Sequence, residues 1–122
     1  MNTEQHLEKA RRILASMDKL NASDDALAII DATMVAGYHL GSAALHRNGV
    51  TDASVHFNTP AKFEVPVETL PAAVKSAYDP FVGLENLRTR YVRSPNVPDQ
   101  AAALEAQRLL RAMAITCGNE TA

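Results

Sequence analysis

Apolar residues recur at three- and four-residue intervals in four segments of the chain, and no segment alternates apolar and polar positions long enough to predict a strand. The first segment runs from about Thr3 to Leu20, with Leu7, Ala10, Leu14 and Met17 on one face. The stretch NASDD breaks this period. Ser23 is placed to cap the next helix, with Asp24 and Asp25 at the positive end of its dipole. That second helix is expected over about Asp24 to Asn48 and should close at Gly49, a residue type suited to the left-handed position after a helix. Leu27, Ile30, Met34, Tyr38, Gly41 and Leu45 form its main seam, while Ile29, Ala36 and Leu40 lie on the opposite side. A helix apolar on two sides is expected at the centre of a bundle. Gly37 and Gly41 each cost about 1 kcal/mol of helix propensity relative to Ala. A close approach by another helix, within the chain or across a dimer, would explain them.

From Val50 to about Glu68 no period persists, and two prolines interrupt the stretch, so a long loop is expected. HFN and FEV within it would be the only short strand candidates. Leu70, Val74, Ala77, Phe81, Leu84 and Tyr91 then keep one helical register straight through YDPF, with Leu87 on the flank. Either Pro80 kinks a single helix, or Asp79 caps a second, nearly collinear piece. Pro95 and Pro98 end this third helix. Asp99 opens a fourth, with Ala102, Ala106, Leu109, Leu110 and Met113 inward and Gly118 as its expected stop. Four helices with largely short connections predict an all-α antiparallel four-helix bundle, in which a long loop joins the second and third helices.

Composition narrows the class. The 122 residues suit one domain spanning the whole chain, with 47 % hydrophobic and 21 % charged residues, as in folded globular domains. A net charge of −2 gives no global field to attract nucleic acid, so such binding would need a local patch. One cysteine, Cys117, excludes an internal disulfide and reads as a small core-edge residue. The opening MNTEQHLEKARR lacks an apolar signal core, and no run is long enough to span a membrane, so a cytoplasmic location is expected.

The basic cluster LRTRYVRS divides when its residues are set about 100° apart around the third helix. Arg90 and Arg93 fall on the flank or beyond the end, where cations suit the helix C-terminus. Arg88 falls inside the apolar seam, and a buried unpaired guanidinium would cost several kcal/mol. Asp31, equally out of place in the seam of the second helix, is the expected partner; the alternative is that both lie at the seam edge and reach water along their stems. Arg88, Asp31, Tyr38, Tyr91 and Arg90 are accordingly the candidate ligand-binding residues. His39 and His46 share one side of the second helix, but a metal would need a third ligand such as His56. No metal or other cofactor is expected, and His6 is expected to face solvent.

Three features together resemble the HEPN superfamily of small helical bundles: AGYHLGSAALHRNGVTDASVH, LENLRTRYVRSPNVPDQAAALEAQRLLRAM, and the order of the four helices around them. The correspondence runs roughly from Asp24 to Ala114 and includes Ala43, Ala44, Leu45, Gly49 and His56. Many HEPN members are metal-independent RNases that use an Arg and, four to six residues later, a His. Here Arg88 fits the Arg, but Arg93 stands five residues on, and no histidine follows it. A guanidinium cannot shuttle protons near neutral pH, so catalytic residues are not expected. The resemblance then implies a non-catalytic binding module that forms a homodimer and takes a protein partner, for instance of nucleotidyltransferase type, or a small anionic ligand. The alternatives are an RNA-processing or toxin-like ribonuclease using His39 or His56 beside Arg88, and a nucleotide- or phosphate-binding pocket of Arg88, Arg90 and Tyr91.

Overall fold

The computed structural model describes residues 1–50 and 67–121, which form four α-helices with no strand among them. These are α1 (Thr3–Met17), α2 (Ala26–Arg47), α3 (Ala72–Tyr91) and α4 (Gln100–Thr121), with a short 3-10 turn at Val67–Thr69. The expected all-α four-helix bundle is thus the observed one. Most of the expected loop, the HFN and FEV candidates and His56 lie outside the described residues.

Local chemistry sets the helix ends. α1 begins in a reciprocal capping box: Asn2 Oδ1 accepts from the Gln5 N–H at 2.9 Å, and Gln5 Oε1 accepts from the Asn2 N–H at 2.8 Å. It stops at Met17, short of the expected Leu20. α2 does not start on a Ser23 cap. Asn21 Oδ1 takes the Ser23 and Asp24 amides at 2.8 and 3.1 Å, while Asp25 Oδ2 takes the Asn21 amide at 2.8 Å. The turn thereby consumes the acceptors that would cap a helix, and α2 begins at Ala26 without a side-chain cap. At its other end Gly49 has φ +71°, as the sequence predicts. α3 runs through Pro80 as one helix. Its C-terminus is closed by the Ser94 hydroxyl and the Asn96 side-chain amide, both donating to the Arg90 carbonyl. Asp99 Oδ1 accepts from the Ala102 N–H at 2.9 Å and caps α4. Gly118 does not stop α4, which continues to Thr121. A glycine ends a helix when it turns left-handed, and otherwise costs only about 1 kcal/mol in place.

α2, α3 and α4 pack against one another, and α1 lies against α2. This makes α2 the central helix, with Ile29, Ile30, Met34, Ala36, Leu40, Ala43, Ala44 and Leu45 all buried. The close approach read from Gly37 is made within the chain. A Cβ there would stand 2.9 Å from Leu84 Cδ1 of α3 and 3.4 Å from Met113 Sδ of α4. Gly41 is not crowded in this way, since its nearest neighbour, in Phe81, would be 3.9 Å off. Leu27, placed by its register in the main seam, is instead 48 % exposed. It lies in the first turn of α2, beside a groove formed by Tyr91, Val92 and the Ser94–Pro98 turn, where α3 has already ended. Cys117 is buried as expected, and burial pushes its thiol pKa up to about 12.

Candidate functional site

A buried polar cluster joins α1 to α2. His39 and His46 stand two helical turns apart on one side of α2, and His6 reaches them from the second turn of α1. Its ring centroid is 5.2 Å from that of each partner. His6 Nδ1 and His39 Nδ1 are 2.9 Å apart, a hydrogen bond between two imidazoles. Tyr38 completes the cluster, edge-on to His6 at 5.9 Å and 4.6 Å from His39. Burial is nearly total: His6 is 0 % and His39 5 % exposed. The expectation that His6 faces solvent is therefore wrong. His6, Ala10, Ile13 and Met17 form a second stripe beside the Leu7–Leu14 seam, so the docking face of α1 is wider than its apolar residues alone define.

The pairing constrains protonation. A neutral imidazole carries one N–H, so a 2.9 Å Nδ1 to Nδ1 contact requires one ring to donate and the other to accept. Burial lowers the pKa of His39 below its ordinary value, and the charge of Lys9 lowers it further. Burial also raises the Tyr38 phenol pKa. A neutral His39 ring is thus favoured at neutral pH. Among the described residues no group of three His, Cys, Asp or Glu side chains has the geometry to hold a metal ion.

A second polar contact joins α2 to α3. Arg88 Nε lies 3.2 Å from Asp31 Oδ1, the partnership expected from the two seam anomalies. The side chains are 27 % and 48 % exposed, so this pair sits at the bundle edge and not in its interior. The two contacting atoms are themselves shielded from water but are not aligned as a hydrogen bond. Among the described residues the terminal guanidinium nitrogens of Arg88 have no hydrogen-bond partner, and they are not among the water-shielded atoms, so they reach solvent.

The other candidates stand apart from this pair. Arg90 packs its guanidinium 5.4 Å from the ring centroid of its neighbour Tyr91, and Arg90 is exposed. Arg93, also exposed, bridges to Glu85 at 3.3 Å. Tyr38 belongs to the histidine cluster, seven residues along α2 from Asp31, or about 10 Å at ~1.5 Å per residue. The five candidate residues therefore occupy three places on the bundle. Compared with family models, with curated proteins and with solved structures, the chain matches none.

Proposed function

We propose that the chain is a non-catalytic, HEPN-like helical module that works as a homodimer and holds a small anion, or an anionic group of a partner such as a nucleotidyltransferase, at Arg88. The observation that carries this reading is the way Arg88 is held. Asp31 forms an ion pair with Nε on one side and biases the side chain's orientation, while the terminal nitrogens remain open to solvent. A guanidinium pre-oriented in this way offers its planar fork to a carboxylate or phosphate with little ordering left to do. Asp31 offsets part of the charge, so the site suits a weak or shared anion contact.

The same geometry weighs against a ribonuclease that uses His39 beside Arg88. His39 is eight residues from Asp31 along α2, about 12 Å at ~1.5 Å per residue, and its Nδ1 is engaged by His6. An acid–base group must come within hydrogen-bond reach of the proton it moves. Support for the homodimer lies in the exposed apolar side chains of α2, Leu27 and Val35, because Gly37 is already filled from within the chain.

A thermal-shift series with inorganic phosphate and nucleotides tests the anion site. A ligand at about 100 times its dissociation constant stabilises by about 2.7 kcal/mol, and the shift should vanish in Arg88→Ala. A shift unchanged by that substitution would place the anion elsewhere. Cleavage of unstructured RNA that disappears in Arg88→Ala would replace this reading with the nuclease. A persistent monomer in sizing chromatography at two concentrations would remove the homodimer.

A further inference from the structure

We infer that α1 is an acid-released latch, held on α2 by the His6–His39 pair and freed from it as the pair takes up protons. The inference rests on the placement of the pair and on the packing of α1, independently of any ligand at Arg88.

The pair is built to hold few protons. With both rings neutral, one Nδ1–H donates to the other Nδ1 across 2.9 Å. A first added proton is tolerated geometrically, because an imidazolium can donate to a neutral ring. A second is not: both Nδ1 atoms would carry hydrogens pointed at each other over a distance that fits one hydrogen. Around His39 the surroundings resist even the first. His6 is 0 % and His39 5 % exposed, so the cation would sit away from water. Among the described residues, Lys9 of α1 and Tyr38 and His46 of α2 face the pair. Lys9 repels a proton on His39. α3 and α4 approach α2 at Gly37, about 200° around the helix from His39, and so meet a different side.

Once α1 lifts away, each imidazole is free in water and takes a proton near its ordinary value of 6.5. The docked state binds at most one proton at the pair, and the released state binds two. Docking is therefore at full strength above 6.5 and weakens as pH falls below it, because the state that binds more protons gains. Among the described residues the substantial packing of α1 is against α2, whereas α2, α3 and α4 hold one another, so α1 can respond alone. Release would uncover the second apolar side of α2 while the three-helix core stays assembled.

Amide hydrogen exchange, corrected for intrinsic rates and followed at about pH 7.5 and about pH 5, reads the latch directly. The α1 amides should lose at least about tenfold more protection than those of α4. The double variant His6→Gln, His39→Gln should abolish that difference. Equal losses in α1 and α4, or an α1 response that survives in the double variant, would overturn the inference. Should the double variant fail to fold, imidazole NMR titration of the unaltered chain decides. His39 is expected to titrate below 6.5, and a midpoint at or above that value would overturn the latch.

Discussion

The two sides of α2 solve the same packing problem with different materials. Toward α3 and α4 the contact is apolar and tight, with Leu84 and Met113 pressed into the space left by Gly37 and the Asp31–Arg88 pair at the edge. Toward α1 a buried pair of imidazoles lies within the interface itself. The apolar side is insensitive to pH and sensitive to volume. The imidazole side has the reverse character, since a buried polar pair contributes only while both partners are present in the right protonation state. A half-exposed ion pair such as Asp31–Arg88 lies between them, because water can replace much of what either partner supplies.

Substitutions separate these three kinds of contact. The largest effect is expected from His39→Ala, which removes a buried ring and takes from His6 Nδ1 its partner. A loss of about 2–4 kcal/mol in denaturant unfolding at pH 7.5 is expected. A loss under ~0.5 kcal/mol would show that the imidazole contact contributes nothing net. Next comes Gly37→Val, where added methyl groups meet Leu84, Met113 and Phe81 and should cost about 1–3 kcal/mol. Gly41→Ala on the same helix should instead stabilise by up to about 1 kcal/mol, since its Cβ would find ordinary contact distances and better helix propensity. If both glycine variants destabilise alike, α3 packs more evenly along α2 than the distances indicate. Smallest is Asp31→Ala, expected to cost under ~1 kcal/mol and to cost less still in high salt. A salt-insensitive loss above ~2 kcal/mol would mean that the pair behaves as a buried one.

Much of the bundle was legible because helix periodicity survives without tertiary context. The two-sided α2 announced a central helix, and Pro95, Pro98 and Asp99 marked the turn into α4. The Arg88–Asp31 contact was legible for a related reason: a charge inside an apolar seam is an anomaly, and two such anomalies on neighbouring helices suggest each other. His6 offered no such signal. Imidazole is polar enough to be assigned outward, and nothing within α1 reveals that α2 presents another imidazole opposite it. Leu27 failed in the opposite direction, because register names the side of a helix and not where the neighbouring helix ends.

Spacing and intrinsic backbone preference suffice to specify four helices, their order, the central place of α2 and the small residue at its tightest contact. Which polar groups meet emerged from the packed bundle. It placed His6 against His39, left Arg88 with its terminal nitrogens in water, and separated Tyr38 from Tyr91. Spacing along one helix fixes directions on that helix alone. Which groups meet across an interface depends on the offset and rotation of two helices, and these are set by the packing of the whole core.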